Sequence, residues 1–459
     1  MSKFYITTAI DYTNDVIHIG HSYQKLLADA LARYHRLIGD QTFFLTGTDE
    51  HGQKVEKSAK EKGIEPKKFV NEIAQADKKE WLSLNVSFDR FIRTTDEDHI
   101  KFCQEFYLKS KANGDIYLSK YSGLYCEGCE AFVDEEECQF HPNKKPQKIE
   151  EENYFFRLSK YQDFLEKYIE EHAEFVVPES KRQEILTFIR HGLKDFSVSR
   201  KNVNWGIPVP DDTSHTIYVW FDALINYLTY GVEENCWPAD VHVLGKDNQR
   251  FHAIYWSAML KSAGYELPKT ILVHDFISLN GQKVSKSLGN VILPSELVSK
   301  YGVDGVRYFF LRYGPLNNDV DISLEKVTDV YNADLANGLG NLVARVAKLC
   351  ETNGVRCSAL PAGRQVFSIQ YEKNKLLDEF KFNEALFEIW QTISELDQKI
   401  EKDQPWKNKN DKNLISYVEK IRTIATTLLP FLPQTAQKIL DQFKGPEIKS
   451  GEVLFPRIK

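Results

Sequence analysis

The order of secondary structure expected near the N-terminus is the feature that most restricts the fold. Residues 3–8 are rich in β-forming side chains, residues 22–38 carry apolar side chains at helical spacing, and residues 43–46 form a second β-rich run. A strand, a helix and a strand in this order predict an α/β fold built on a doubly wound parallel sheet. In such a sheet the binding site lies at the carboxyl ends of the strands.

Three later segments are expected to extend this sheet, namely residues 216–220, 240–244 and 270–273. The dipeptide Asn280-Gly281 follows them and predicts a tight hairpin turn. Residues 115–200 interrupt the pattern with a cluster of cysteines and a histidine. We therefore expect an insertion in the sheet domain at this point.

The last third of the chain has a different character. Beyond Asp319 almost every segment shows helical periodicity, with polar breaks at residues 354–363 and 402–413. This pattern predicts a helix bundle after the sheet domain.

Composition and charge exclude several classes of protein. The chain has 459 residues, 42% of them hydrophobic, which suits about three ordinary domains. It contains neither an apolar run of the ~18 residues that a membrane helix needs nor an apolar export signal. We therefore expect a cytoplasmic protein without membrane contact. The net charge of −7 argues against bulk attraction to nucleic acid, so any RNA contact must come from local surfaces.

Three of the seven cysteines lie near a histidine. Cys126 and Cys129 form one close pair, and Cys138 with His141 forms a second pair a short distance further on. In a reducing compartment this spacing favours a structural zinc knuckle with four protein ligands, and it leaves no open position for catalysis. Buried thiols without a metal are the alternative.

A histidine motif, His18-Ile19-Gly20-His21, stands at the start of the first predicted helix, and a lysine motif, Lys283 to Ser287, occurs far downstream. Imidazoles at a helix N-terminus and lysines on a loop can converge as cations on a triphosphate. Either motif alone could arise by chance. In their order and context they resemble the HIGH and KMSKS signatures of class I aminoacyl-tRNA synthetases.

Four further segments are similar to the methionyl-tRNA synthetase family in particular, and the resemblance extends over essentially the whole chain. They are residues 7–15, 47–52, 218–223 and 245–252. The resemblance implies a Rossmann-type catalytic domain, a zinc-knuckle insertion, a region with the KMSKS loop and an all-α anticodon-binding domain. The expected boundaries are residues 1–114 with 201–268, 115–200, 269–325 and 326–459, respectively.

The resemblance also implies roles for individual residues. Catalysis would depend on His18, His21, Lys283 and Lys286, and ATP would also contact Gly20 and Ser285. The methionine site would comprise Ile10, Tyr12, Asp49, Trp220, Ala223, Leu224, Tyr227, Asp247, Asn248 and His252. Asp49 would bind the substrate ammonium, and the Tyr227 hydroxyl and the Ile10 N–H would approach the sulfur. A largely apolar, aromatic wall suits a polarizable thioether. Without the resemblance, Trp220 and Tyr227 would be interpreted as core aromatics and Asp49 as a helix cap.

Three residues depart from the family pattern. Asp11 replaces an apolar or aromatic residue beside the triphosphate site, where a carboxylate could repel ATP or help hold magnesium. Asn248 replaces an isoleucine in the methionine pocket, where a buried amide needs partners. Val284 replaces the methionine of KMSKS and changes only an apolar anchor.

The helical region carries a candidate RNA-binding group. Asn341 and Arg345 are four residues apart and share a helix face, and Trp406 lies in a lysine-rich turn. An exposed tryptophan with such partners can stack on an unpaired base. A buried tryptophan is the alternative from sequence alone, but the resemblance favours an anticodon-binding role.

The resemblance implies a two-step methionine–tRNA ligase. ATP, L-methionine and tRNA(Met) would be its partners, Mg²⁺ would accompany ATP, and Zn²⁺ would occupy the knuckle. A monomer is expected, because no appended dimerising module is evident before Lys459. Two alternatives are open: a related class I synthetase with another or relaxed specificity, for example for cysteine, and a catalytically silent tRNA-binding paralogue.

Overall fold

The computed structural model describes residues 2–126, 131–133, 145–284, 289–360, 373–407 and 411–459. Its strands are β1 (Lys3–Thr8), β2 (Asp11–Tyr12), β3 (Gln41–Asp49), β4 (Arg90–Arg93), β5 (Ile116–Cys126), β6 (Ala131–Val133), β7 (Gln147–Phe156), β8 (Val176–Val177), β9 (Phe196–Ser197), β10 (Ser199–Arg200), β11 (Pro208–Val209), β12 (Asp212–Ile217), β13 (Val241–Gly245), β14 (Thr270–His274), β15 (Ile277–Leu279), β16 (Gln282–Lys283) and β17 (Val320–Ile322).

The α-helices are α1 (Ile19–Leu37), α2 (Gln53–Glu61), α3 (Pro66–Ser83), α4 (Glu97–Ala112), α5 (Gln162–Glu171), α6 (Glu179–Arg190), α7 (Val219–Glu233), α8 (Ser257–Ala263), α9 (Pro294–Tyr313), α10 (Leu324–Val330), α11 (Asn341–Asn353), α12 (Lys375–Asp378), α13 (Phe382–Asp403), α14 (Asp411–Leu428) and α15 (Pro433–Gln442). A 3₁₀ turn spans Leu158–Tyr161, and π-helical segments span Phe251–Trp256 and Tyr331–Gly340.

The central sheet is parallel, which confirms the predicted fold class. Its strand order is β4-β3-β1-β13-β14-β8, and β2 pairs with the carboxyl end of β3. Both β13 and β14 are buried along their whole length, as expected for strands covered by helices on both faces.

The strand order reverses direction between β1 and β13. From β1 the chain passes through α1 to β3 on one side, whereas from β13 it passes through α8 to β14 on the other side. A crevice therefore opens at the carboxyl ends of these two strands, which is where parallel α/β sheets bind their ligands. The histidine motif at the start of α1 lies at this edge of the sheet.

One predicted strand is wrong. Residues 216–220 do not belong to the central sheet: β12 ends at Ile217 in a small antiparallel sheet with β10 and β11, and α7 begins at Val219. Helix α7 is buried on nearly every side, so it lacks the polar stripe that marks an amphipathic helix. Its apolar start could not be distinguished from a strand by periodicity.

The predicted insertion builds mainly a second, antiparallel sheet of order β6-β5-β7-β9. It also returns to the central sheet, because Val176 and Val177 of β8 pair in parallel with Ile271 and Leu272 of β14. The sequence gives little sign of so short an edge strand.

Among the described residues beyond Asp319, most segments are helical as predicted, apart from β17 and the stretch after α15. Its helices share one hydrophobic core with α1 and α9, whereas α4, α7 and α8 form a second core with the insertion on the other face of the sheet. Arg307 on α9 joins α1 to the C-terminal helices: its fully buried guanidinium lies 2.7 Å from Asp29 of α1 and donates to the carbonyl of Phe431, just after α14, at 2.8 Å. In the part of the chain described here, no helix has the length and apolarity needed to cross a membrane.

Candidate active site

The site begins at the N-terminus of α1, where two histidines cap the helix. The Nδ1 atom of His18 accepts a hydrogen bond from the Gly20 N–H at 3.1 Å, and the His18 N–H donates to Nδ1 of His21 at 3.2 Å. Because Nδ1 of His18 accepts, a neutral His18 ring carries its hydrogen on Nε2 and can offer this N–H to an anion at the positive end of the helix. Nδ1 of His21 also lies 3.3 Å from the His18 carbonyl, so the contacts of His21 fit either tautomer.

Gly20 is required by this geometry. A Cβ atom at this position would lie 2.8 Å from Cε1 and 2.9 Å from Nδ1 of His18. Any larger residue would push the His18 ring out of its capping position.

The protonation state of His21 corrects one expectation. Burial, together with the charge of Lys25, lowers the pKa of His21 to about 4. The ring is neutral at pH 7 in the ligand-free protein, so it presents an N–H donor rather than a cation. The expectation of a cationic ring at His21 is thus not met in the ligand-free protein, whereas the convergence of the two motifs on a triphosphate stays a prediction.

Asp11 is enclosed by partners from α1 and α3. Its side chain is buried and lies 3.0 Å from the ammonium of Lys25, which is itself fully buried. The Trp81 indole N–H donates to the same carboxylate at 3.0 Å. Lys25 and Trp81 thus enclose the Asp11 carboxylate, and its expected effect on ATP or magnesium stays a prediction.

The loop that carries Asp49 is fixed by its own backbone and by its neighbours. The N–H and the hydroxyl of Thr13 donate to the Asp49 carbonyl at 2.9 and 3.0 Å. The next residue, Glu50, is buried and forms a two-pronged ion pair with Arg93 at 2.6 and 2.8 Å. The Trp205 indole donates to the Glu50 carbonyl at 2.6 Å. Asp49 itself is buried at the carboxyl end of β3.

A buried carboxylate on α7 holds two histidines below this loop. Asp222 accepts hydrogen bonds from Nδ1 of His51 and from Nε2 of His99, each at 2.6 Å. Burial alone would raise the pKa of Asp222, but the two histidines outweigh it and lower the pKa. The carboxylate is thus ionised, and it ties the Asp49 loop to α7.

Tyr227 and His252 form the core of the predicted methionine pocket. Nδ1 of His252 must donate to the Asn248 carbonyl at 2.9 Å, and burial lowers the pKa of His252 to about 4. Its Nε2 therefore accepts, and the Tyr227 hydroxyl, 2.7 Å away, is the donor. The hydroxyl hydrogen predicted to approach the sulfur is engaged with His252 in the ligand-free protein.

The other predicted pocket residues fall into two groups. Ala223 and Leu224 are buried on α7, and Trp220 stacks on Phe251 with ring centroids 3.7 Å apart. Ile10 lies half-buried between β1 and β2, and Tyr12 lies half-buried in β2, with the ammonium of Lys54 5.6 Å from its ring centre.

Asn248 and Asp247 lie in the turn that follows β13. Asn248 is half-buried rather than enclosed, and its carbonyl accepts from both the N–H and Nδ1 of His252. The expectation of a buried amide is therefore wrong. Asp247 is exposed directly after β13.

Only part of the lysine motif lies within the described residues. The turn at Asn280-Gly281 has positive φ angles of 52° and 74°, which confirms the predicted hairpin between β15 and β16. Lys283 ends β16, and Val284 is buried, as an apolar anchor should be. Ser285 and Lys286 lie outside the described residues.

The predicted zinc ligands are mostly outside the described residues too. Cys126 ends β5 and is buried, but Cys129, Cys138 and His141 are not described. Within the described ranges, no three histidine, cysteine or acidic side chains cluster as metal ligands.

The structure brings together the predicted anticodon residues Arg345 and Trp406. The guanidinium lies 5.1 Å from the centre of the indole ring and pairs with Asp397 and Glu401 at 3.1 and 2.6 Å. Trp406 is 48% exposed, so the alternative of a buried tryptophan is excluded. Asn341 is exposed at the start of α11, one helical turn before Arg345.

Several residues around the site were missed by sequence reasoning. His51 and Asp222 stand inside recognised motifs, yet the sequence gives no sign that they pair with each other and with His99. Arg200 is buried in a small cleft beside Gly52, and its guanidinium lies 4.0 Å from the centre of the Tyr218 ring. No local signal could have found these contacts, since they join distant segments.

Comparison with known proteins agrees with this geometry. The family model described as tRNA synthetases class I (M) matches residues 4–143 and 136–347. The methionine–tRNA ligase of Caldanaerobacter subterraneus subsp. tengcongensis is 41% identical, with 99% of this chain and 79% of that protein covered. The chain belongs to the methionyl-tRNA synthetase family.

Other members of the methionyl-tRNA synthetase family are similarly close. The methionine–tRNA ligase of Thermotoga maritima is 42% identical over 98% of this chain and 77% of that protein. The solved structure of the Mycobacterium tuberculosis methionyl-tRNA synthetase in complex with methionyl-adenylate superposes with a TM-score of 0.92, at 35% identity and with both chains fully covered.

Proposed function

We propose that this protein is a methionine–tRNA ligase. In the first step the methionine carboxylate attacks the α-phosphorus of ATP and pyrophosphate leaves. In the second step the terminal ribose of tRNA(Met) accepts the methionyl group and AMP leaves. The observation that carries the proposal is the position of the His18–His21 helix cap. This helix cap lies where the strand order reverses between β1 and β13, at the carboxyl ends of the strands. The Tyr227–His252 pair is the proposed methionine pocket beside it.

In the activation step, His18 and His21 would donate Nε2–H hydrogen bonds to the phosphates. An anion near a buried neutral imidazole favours its protonated form, so bound ATP would raise the pKa of His21. Lys283 and Lys286 would hold the β- and γ-phosphates as charge moves onto pyrophosphate, with contacts from Gly20 and Ser285. Mg²⁺ would accompany ATP and neutralise phosphate charge.

In the methionine site, Asp49 would pair with the substrate ammonium. The thioether would lie against Trp220, Ala223, Leu224 and the Tyr227–His252 pair. The Tyr227 hydroxyl hydrogen is engaged with His252, so it does not point at the sulfur in this state. A weakly polar thioether fits this apolar wall with little desolvation cost. The Ile10 N–H is then the remaining candidate donor to sulfur, with Tyr12, Asp247, Asn248 and His252 completing the site.

A structural zinc would complete the insertion. The thiol of Cys126 is buried at the end of β5, which suits a ligand that is shielded from water. Cys129, Cys138 and His141 would supply the other three ligands. The measurement is metal analysis of the purified protein: one equivalent of zinc is expected, and none in a Cys126→Ser, Cys129→Ser variant.

At the anticodon end, the Arg345–Trp406 pair would stack on an unpaired base of tRNA(Met), with Asn341 on the same face. Loss of one stacking contact costs ~1–3 kcal/mol, so Trp406→Ala should lower kcat/KM for tRNA by about 5- to 150-fold. Methionine activation without tRNA should be unchanged. Phe387→Ala is the matched control, because Phe387 is similarly exposed, at 47%, on α13 of the same domain. Equal losses in both variants would contradict an anticodon role.

The protein is expected to act as a cytoplasmic monomer.

The activity itself is tested by exchange of labelled pyrophosphate into ATP with a panel of amino acids. Exchange with methionine, but not with norleucine, cysteine, isoleucine or leucine, and loss of exchange in Lys286→Ala would support the proposal. Exchange with another amino acid would favour a related class I synthetase of different specificity. Absence of exchange with every amino acid, in a protein that still binds tRNA, would favour a silent paralogue.

A further inference from the structure

A buried lysine lies directly beneath the loop that follows β1. All three hydrogens of the Lys25 ammonium have acceptors: the Thr8 hydroxyl at 3.0 Å, the Ala9 carbonyl at 2.7 Å and the Asp11 carboxylate at 3.0 Å. Lys25, Thr8, Ala9 and Asp11 are all buried. The ammonium is therefore saturated within the protein. It is not a phosphate-binding lysine, although it stands only four residues after His21.

Both ends of the loop are held by buried side chains. At its start, Lys25 binds the carbonyl and the carboxylate on either side of Ile10. At its end, the side chain of Asp77 on α3, whose pKa burial raises to about 8, accepts from the Ile17 N–H at 3.0 Å, one residue before His18. Between them, Thr13 is bonded to the Asp49 carbonyl. The loop is thus fixed relative to both the histidine motif and Asp49.

We propose that Lys25, paired with Asp11, is a positioning residue that holds Ile10 and Tyr12 in the conformation that binds the amino acid. This inference rests on the proposed function of the site. Two roles of the pair can be separated. The Asp11 carboxylate compensates the charge of the buried Lys25 ammonium and so contributes to the stability of the fold. The ammonium also binds the Ala9 carbonyl and so sets the shape of the amino-acid site.

Lys25→Met alone leaves a buried, uncompensated Asp11 carboxylate, so this variant should be strongly destabilised. The double variant Lys25→Met, Asp11→Asn removes both charges and keeps an acceptor for the Trp81 indole. Its urea midpoint should recover to near that of the wild type. Its Ala9 carbonyl still lacks the ammonium, so the loop should remain poorly fixed.

Pyrophosphate exchange is measured for wild type, the double variant and Trp81→Phe. Losing a hydrogen bond to a charged group changes an equilibrium constant by about tenfold or more. The methionine KM of the double variant should therefore rise by about that factor. Its ATP KM should stay within about twofold. Trp81→Phe removes a neighbour of Asp11 without touching the Ala9 carbonyl, and its methionine KM should stay near the wild-type value. Wild-type methionine KM in the stable double variant would overturn the proposal, because the pair would then act on stability alone.

Hydrogen–deuterium exchange of peptides covering residues 9–17 gives a readout that does not require activity. Faster exchange in the double variant than in wild type and Trp81→Phe is expected, and equal exchange in all three would overturn loop positioning. If wild type shows no methionine-dependent pyrophosphate exchange while the double variant loses loop protection, the proposed function fails and the positioning role stands.

Discussion

Asp222 is the residue whose replacement gives the sharpest test of how the methionine site is organised. Its two oxygens each accept one histidine N–H, from His51 and from His99, at 2.6 Å. Asp222→Asn keeps the size of the side chain but offers one oxygen and one NH₂ group. Only one of the two donors can then keep an acceptor, and the other faces an amide hydrogen.

The magnitude follows from the lost contact. A hydrogen bond to a charged group contributes ~1.5–3 kcal/mol, which corresponds to about 10- to 150-fold in an equilibrium constant. His51 follows Asp49 and Glu50 in the same loop, so its loss should loosen the proposed ammonium site. We expect the methionine KM in pyrophosphate exchange to rise by this factor, with the ATP KM within about twofold.

The matched control is His99→Gln. Its amide can still donate to Asp222, and the contact of His51 with Asp222 is untouched, so the methionine KM should change by less than about threefold. Thermal unfolding of both variants must be cooperative for the comparison to hold. A methionine KM of Asp222→Asn within about twofold of wild type, in a folded protein, would refute the reasoning, as would a larger effect from His99→Gln.

Three further outcomes are expected. Gly20→Ala places a Cβ atom 2.8 Å from the His18 ring, so pyrophosphate exchange should fall by about tenfold or more with an unchanged melting temperature; full activity would contradict the capping geometry. Arg307→Met removes one partner of a fully buried ion pair with Asp29, so chemical denaturation should show a loss of about 3–5 kcal/mol, and a loss below about 1 kcal/mol would show that the pair contributes little. In the folded protein the pKa values of His21, His252 and His274 are lowered to about 4, whereas unfolded histidines bind protons near pH 6.5. The unfolded state therefore takes up more protons as the pH falls, so the urea midpoint should decrease between pH 7 and pH 5. A midpoint that does not change over this range would contradict neutral histidines at these three positions.

Much of the fold could be predicted because its signals are local. The strand Lys3–Thr8 has the predicted bounds, and the turn at Asn280-Gly281 has the positive φ angles of a hairpin turn. Each depends on a few neighbouring residues, either on β propensity or on the tolerance of asparagine and glycine for positive φ. The failure at residues 216–220 has the converse cause: a helix buried on all sides carries no periodicity that separates it from a strand.

The sequence by itself determined the parallel sheet, the place of the histidine motif at its edge and, through the resemblance, the family. These depend on periodicity and on short motifs whose parts are adjacent in the chain. Only the tertiary structure decided that Asp11 pairs with Lys25, that Asp222 joins His51 to His99, and that the Tyr227 hydroxyl donates to His252. Partners of buried polar groups are chosen by which segments pack against each other, and burial also sets the protonation of His21 and His252. The chemistry of the site is therefore read from contacts between segments that are far apart in the chain.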